Sequence, residues 1–169
     1  MSRSGKNLAV CIAAASLVSL AAAGCGTTMA GGPAKTAPPA QTGFAGYKWQ
    51  VVAIVHSGKD TPIPARYPVY LQFAPNGQFG ANEPVNYHFG SYRITPDGFT
   101  ISNVGMTLAG YAGHDPVVTL AEGAITAFNS QVHATAGVTG NQLTVSVGGY
   151  TLTCQRDGMQ ADFPSPTPT

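Results

Sequence analysis

Hydrophobic and polar residues alternate with a period of two through much of the chain beyond residue 44. The first run places five residues on one face of an opening strand: Tyr47, Trp49, Val51, Ala53 and Val55. A second run spans residues 69–73 and is followed by the turn sequence Pro75-Asn76-Gly77. A period of two is typical of a half-buried strand, and Asn-Gly favours a turn between antiparallel strands. These runs predict antiparallel strands joined by short turns.

Two further hairpins are predicted by turn sequences between alternating runs. Pro96-Asp97-Gly98 separates residues 92–94 from residues 99–101, and Gly148-Gly149 separates residues 143–147 from residues 150–154. The last hairpin has a polar face made of Thr144, Ser146, Thr151 and Thr153. Such alternation is typical of an antiparallel sheet with one solvated face.

One segment has helical spacing instead. Its hydrophobic residues recur every three or four positions: Val117, Leu120, Ala121, Ala124, Ile125 and Phe128. Asp115 is a favourable N-cap, and Pro116 suits the first helical position. We therefore predict one helix from Pro116 to about Ser130, which covers one end or face of the sheet.

Composition supports a mainly β domain that does not bind nucleic acid. Charged residues make up 9% of the 169 residues, against about 25% in an average domain, so long solvated helices are not expected. The net charge of +1 includes no clustered basic face, which nucleic-acid binding requires. The length predicts one folded domain.

The first 25 residues have the three parts of an export signal. Arg3 and Lys6 precede an apolar stretch over residues 8–20, and small residues at 21–24 lead into Cys25. This arrangement resembles a bacterial lipobox, with Ala22 where leucine is usual. The resemblance implies cleavage after residue 24 and lipid on Cys25, hence an exported protein anchored to the cell membrane or envelope. The alternative is an ordinary secretory signal, in which Cys25 is incidental.

The chain therefore divides into a signal peptide (1–24), a lipidated flexible tether (25–43), a folded domain (44–157) and a disordered tail (158–169). Cys154 is left without an intrachain partner once Cys25 carries lipid. Its position on the apolar face of the last hairpin favours a buried thiol over a reactive one.

The order of these elements resembles the META/HslJ family of small envelope domains. Trp49, Phe73 before Asn76-Gly77, the element at residues 85–92, Thr107, the helix and the closing hairpin follow the family pattern. The resemblance implies a small antiparallel β-barrel or strongly curled sheet with one helix, and no established catalytic activity. Val85 stands where the family usually has cysteine, and its partner cysteine, expected near Gly110 or Tyr111, is also missing.

The sequence contains no recognisable catalytic or phosphate-binding motif. The carboxylates are scattered, and the histidines lack the local spacing of metal ligands: His56, His88, His114 and His133. We predict a protein that is not an enzyme and that needs neither a cofactor nor a metal.

The family element supplies a possible recognition loop made of Asn86, Tyr87, His88, Gly90 and Tyr92. A structural role is the favoured alternative, with Asn86 satisfying backbone groups in a tight turn, Gly90 adopting a special conformation and Tyr92 packing inward. Tyr67, Tyr70, Tyr87 and Tyr111 suit either a binding surface or barrel packing.

The functional prediction is a monomeric, membrane-anchored envelope lipoprotein that binds a protein partner, as an inhibitor or in a stress-related stabilising role. The alternative is a carrier of a small apolar ligand or lipid, which requires a hollow barrel. A hydrolase, the third class, requires titratable side chains that converge in one cleft.

Overall fold

The alternating runs form the strands of one closed sheet. The computed structural model describes residues 43–130 and 133–163, and in this part of the chain eight antiparallel strands close into a barrel with one α-helix. The predicted mainly β barrel with one helix is confirmed. The predicted signal peptide, Cys25 and nearly all of the tether lie outside the described residues.

The elements follow one another in the order β1 (Tyr47–His56), β2 (Lys59–Pro62), β3 (Tyr70–Phe73), β4 (Gln78–Asn82), β5 (Tyr87–Thr95), β6 (Gly98–Met106), α1 (Pro116–Thr126), a 3₁₀ helix (Ala127–Ser130), β7 (His133–Thr139), β8 (Gln142–Val147) and β9 (Tyr150–Met159). Strands β3 to β9 pair in sequence order, and pairing of β1 with both β3 and β9 closes the barrel. The short strand β2 pairs only with the second half of β1.

A bulge in β1 changes which side chains point inward. Trp49 and Val51 are buried, but beyond Val52 the next buried residue is Ile54. The pairing of β1 with β9 shifts between Val51 and Ala53, because Val52 has no partner of its own. A bulge inserts one residue and so reverses the inward and outward positions after it. The prediction of one continuous face was therefore wrong for Ala53 and Val55.

Aromatic rings fill the interior of the barrel. Five phenylalanines and one tryptophan have at most 1% of their surface exposed: Phe44, Trp49, Phe73, Phe79, Phe99 and Phe128. The Phe73 ring lies 4.8 Å from that of Phe44 and 4.9 Å from that of Phe99, measured between centroids. The edge-to-face geometry of both pairs adds about 0.5–1.5 kcal/mol per pair to the burial of apolar surface.

The helix begins where it was predicted and ends earlier. Asp115 Oδ1 accepts a hydrogen bond from Val117 N at 2.9 Å, which confirms the N-cap, and Pro116 takes the first position. The α-helix ends at Thr126, and a 3₁₀ helix carries Phe128 into the core. Phe128 keeps the buried side that its spacing predicts, although the last turn is tighter than that of an α-helix.

The barrel has two unlike ends. We call one the Phe44 end, because Phe44 covers it and the turns at residues 75–77 and 96–97 lie there; the other is the loop end, formed by residues 83–86, residues 107–115 and the start of α1. Gly46 N donates to Phe73 O at 2.7 Å, and Gln160 N donates to Gly46 O at 2.8 Å. The chain therefore enters and leaves the barrel at the Phe44 end.

The folded part extends further than the sequence indicated. Gly158 and Met159, assigned to the tail, belong to β9 and pair with Lys48 and Tyr47. The pairing continues because β1 begins at Tyr47 and offers partners to that point. Within the described residues no helix is long and apolar enough to span a bilayer.

Candidate functional site

Asn86 fastens two loops together at the loop end. Its side-chain oxygen accepts hydrogen bonds from Ala109 N at 2.7 Å and from Thr107 Oγ1 at 3.2 Å, and its Nδ2 donates to Ala109 O at 3.2 Å. Asn86 is only 5% exposed. Buried amides that make several hydrogen bonds are costly to remove, because their partners are then left unsatisfied. Asn86 therefore has the structural role that the sequence analysis favoured.

These hydrogen bonds lie where the family resemblance implies a disulfide. The missing cysteines correspond to Val85 and to a position near Gly110, next to Asn86 and Ala109 respectively. The Asn86–Ala109 contacts join the same two loops without a covalent bond. The loop end is therefore held by polar contacts alone at this point.

Glu83 organises the first of these loops from inside. Its carboxylate accepts hydrogen bonds from Val85 N at 2.8 Å and from Asn86 N at 2.9 Å. His88 Nε2 lies 3.9 Å from Glu83 Oε1, and His88 Nδ1 lies 3.0 Å from Asn129 Oδ1. Both the Glu83 and the His88 side chains are fully buried. The carboxylate–histidine pair is therefore closed off from the surface, and its arrangement is that of a buried polar network.

The predicted recognition loop divides between the inside and the outside of the barrel. Tyr92 packs inward against Phe73, and its hydroxyl donates to Ala74 O at 2.9 Å. Burial raises the pKa of the Tyr92 hydroxyl. Gly90 is required by crowding, since a Cβ there would lie 2.8 Å from Ser102 O. Of the five predicted residues, only Tyr87 and Gly90 line a groove on the outside of strands β4, β5 and β6.

The loop that Asn86 fastens exposes apolar side chains. All eight residues from 107 to 114 are exposed, and the side chains of Leu108 and Tyr111 are 88% and 42% exposed. A loop that displays large apolar groups on a rigid base is typical of a recognition element. We call Leu108 and Tyr111, together with the groove that Gly113 and His114 of the same loop help to line, the loop surface.

The groove of the loop surface lies between α1 and the ends of β1 and β9. It consists of two adjoining depressions of about 470 and 520 Å³ that share His56, Pro116 and Leu120. The His56 and Tyr150 rings stack at 4.2 Å on one side of it. The Tyr150 hydroxyl occupies space beside Gly123, where a Cβ would lie 2.6 Å from it. A side chain at position 123 would therefore require the Tyr150 ring to shift.

Hydrogen bonds at Asp115 fix the start of α1 beneath the loop surface. The Tyr67 hydroxyl donates to Asp115 Oδ2, and Asp115 N donates to Tyr111 Oη at 3.4 Å. The hydrogen bond from Tyr67, followed by that from Val117 N, holds the pKa of the Asp115 carboxyl below its usual value. Two of the four candidate tyrosines, Tyr67 and Tyr111, thus contact the helix cap.

An outer groove crosses strands β4, β5 and β6 on the outside of the barrel. It has a volume of about 510 Å³ and is lined by Gln78, Phe79, Tyr87, Phe89, Gly90, Ser91, Asn103 and Phe163. The Tyr87 and Phe89 rings form its apolar part, with centroids 6.4 Å apart and an interplanar angle of 26°. Burial, and then the nearby Tyr70, raise the pKa of the Tyr87 hydroxyl.

Within residues 43–130 and 133–163, the remaining titratable groups form no common site. His133 Nε2 lies 3.1 Å from Asp97 Oδ1 on the surface, and this hydrogen bond lowers the pKa of Asp97. Cys154 is fully buried, as predicted, and burial raises the pKa of its thiol. In the described ranges, no group of three or more His, Cys, Asp or Glu side chains could hold a metal ion.

Comparison with protein families agrees with this architecture. The META domain profile matches residues 42–159, which include every strand and the helix. This chain belongs to the META domain family. The family is not known for an enzymatic activity. A search of curated proteins gave no significant match.

Solved structures share the META fold of this chain. A protein from Burkholderia xenovorans, determined by NMR, is similar with a TM-score of 0.54 and 16% identity, over 69% of this chain and 86% of that one. A second NMR structure is similar with a TM-score of 0.50 and 15% identity, over 68% of this chain and 92% of the other. At these identities the likeness concerns the fold alone.

Three residues of the META domain surfaces were not singled out from the sequence. Phe89 could have been found, because it alternates with the inward-facing His88 and so must point outward. Leu108 gave a weaker signal, a leucine in a Gly-rich segment without periodicity. Phe163 gave none, because its position depends on a tertiary contact with β4.

Proposed function

We propose that this protein is a membrane-anchored, non-enzymatic envelope lipoprotein whose META domain binds a protein partner through the loop surface. The observation that carries the proposal is the exposure of Leu108 and Tyr111 on a loop fastened by the buried Asn86. Because the loop is already held in place, binding through its exposed apolar side chains costs little conformational entropy. We expect the protein to act as a monomer.

The direction of the chain supports this use of the loop surface. Residue 43 lies at the Phe44 end, and the tether to Cys25 precedes it. A lipid on Cys25 would attach the domain through the Phe44 end, so the loop surface lies at the end opposite the point of attachment. Two acyl chains are enough for stable anchoring, because each buried CH₂ contributes about 0.8 kcal/mol.

The filled interior favours a protein partner over a carried ligand. A carrier needs an internal cavity of roughly 300 Å³ or more. The rings of Phe73, Phe79 and Phe99 occupy the space that such a cavity would need. The groove of the loop surface and the outer groove both open to the outside of the barrel.

Anchoring is tested first, with the full chain expressed in a bacterium. Mass spectrometry of the mature N-terminus should find a diacylglyceryl group on Cys25, and Cys25→Ser should release the protein from membranes. An unmodified N-terminus, or a cleavage site elsewhere than before Cys25, would contradict the anchoring.

Partner binding is tested with the lipidated protein, extracted in mild detergent and used to capture envelope proteins. We expect one protein to be enriched by the wild type and lost with the double variant Leu108→Ser, Tyr111→Ser. Phe89→Ser is the matched control, because it removes an exposed aromatic ring from another surface. Co-purification of a lipid or metabolite without a protein, analysed in the same samples, would favour the carrier instead.

A further inference from the structure

The last described residues run along the outside of the barrel. After β9, Gln160 Oε1 accepts a hydrogen bond from Gln72 Nε2 at 2.6 Å, and Asp162 Oδ1 accepts one from Asn76 N at 3.1 Å. Both donors lie on the hairpin of β3 and β4. The segment that follows β9 is therefore directed across this hairpin toward the outer groove.

Phe163 reaches the outer groove itself. A Cβ on Gly80 would lie 3.0 Å from Phe163 Cζ and 2.3 Å from Tyr87 Oη. The Phe163 and Tyr87 rings thus both lie against Gly80, the glycine of β4, where the lack of a side chain leaves room for them. The chain's own residues already occupy one end of the groove.

The rest of the groove offers an apolar floor with polar edges. The Phe89 ring lies over Gly105, where a Cβ would be 2.5 Å from Phe89 Cζ, and Phe89 is 49% exposed. The side chains of Gln78, Ser91 and Asn103 line the same groove. Flat aromatic rings beside hydrogen-bonding groups are what proline-rich segments in polyproline II conformation bind.

The sequence after Phe163 has this chemistry. Residues 164–169 read Pro-Ser-Pro-Thr-Pro-Thr, with a proline at every second position and no charge. Proline-rich segments favour the polyproline II helix, which has an unpaired backbone and loses little entropy on binding. At about 3.1 Å per residue, six residues extend roughly 19 Å. Crossing from β4 to β6 requires roughly 10 Å, at two strand spacings of about 4.8 Å.

We propose that residues 164–169 bind in the outer groove of the same chain, continuing from Phe163 across Phe89 toward Asn103. The chain thereby covers the apolar outer face of β4, β5 and β6 with its own proline-rich segment. This inference concerns a different surface from the loop surface and does not depend on the proposed partner.

The first test compares the full chain with a chain that ends at Phe163, by NMR of backbone amides. Removal of residues 164–169 should shift the amides of Phe89, Ser91 and Asn103 and leave those of Tyr111 and Leu120 unchanged. Unchanged groove amides, or equal shifts at the loop end, would overturn the proposal.

The second test identifies the occupant directly. A photo-crosslinking amino acid in place of Thr167 in the full chain should form an intramolecular crosslink to residues 78–106, identified by mass spectrometry. Phe89→Ala should reduce the yield several-fold, and Tyr111→Ala, the matched control, should not. Crosslinked dimers would instead assign the groove to a second copy, and crosslinks outside residues 78–106 would show that the segment binds elsewhere. Either result would overturn the proposal.

Discussion

The two ends of the barrel are built from different interactions. At the Phe44 end, the buried side chains are aromatic rings that pack against one another, such as Phe44, Phe73 and Phe99. At the loop end, the buried groups include three polar or charged side chains: Glu83, Asn86 and His88. Ring packing provides stability without a defined surface feature, whereas directional hydrogen bonds hold a loop in one place. The Phe44 end therefore provides stability, and the loop end presents the loop surface.

The largest effect should come from the Phe44 end. Phe73→Ala removes a ring that contacts Phe44, Phe79 and Phe99, and should lower the free energy of unfolding by about 3–5 kcal/mol in urea denaturation. Phe73→Leu keeps part of the buried apolar volume without the ring and should cost less than Phe73→Ala, so a folded variant remains available. A loss below about 1 kcal/mol for Phe73→Ala would show that ring packing does not carry the stability there.

A smaller and more local effect is expected at the loop end. Asn86→Ala leaves Ala109 N and O without their partner and should lower the free energy of unfolding by about 1–3 kcal/mol. Hydrogen exchange should accelerate at the Ala109 amide before it does in β3 or β4. Asn141→Ala, an exposed control in the turn after β7, should change neither quantity. Exchange that accelerates equally in all strands would contradict a separate loop end.

The pH dependence of the loop end should trace to Asp115. Its folded pKa lies below its unfolded value near 3.9, so its contribution to stability is present above that value and is lost as the pH falls through the folded pKa. Tyr67→Phe removes the main cause of the shift. NMR titration should show the pKa of Asp115 rising toward its ordinary value in this variant. An unchanged titration would mean that the cap at Val117 alone sets it.

The loop surface should be the least important region for stability. Leu108→Ser changes a side chain that is 88% exposed, and should alter the free energy of unfolding by no more than about 0.5 kcal/mol in urea denaturation. A loss above about 1 kcal/mol would show that Leu108 contributes to the stability of the fold. This result would contradict the assignment of stability to the Phe44 end.

The sequence predicted the strands and the helix cap better than the polar contacts of the loop end, for a physical reason. Strand alternation at Val69, Leu71 and Phe73 reports burial directly, because every second residue faces the core. It failed at Val52, since a bulge depends on pairing with β9 and leaves no local signal. Local rules also identified the helix cap at Asp115, where the donor is two residues away.

The candidate sites depend on contacts between residues far apart in sequence. Asn86 was predicted as a turn residue, but its partners lie more than twenty positions away. The buried position of Glu83 was missed because glutamate is usually exposed, although the two backbone amides that donate to it, Val85 N and Asn86 N, are only two and three residues away.

The central claim, that the loop surface contacts a protein partner, is tested most directly by photo-crosslinking in living cells. One photo-crosslinking residue would replace Leu108 at the loop end, and another would replace the exposed Asn141 at the Phe44 end. We predict a crosslink to one specific protein from position 108 and at most a trace from position 141. No crosslink from position 108, or the same products from both positions, would contradict the claim.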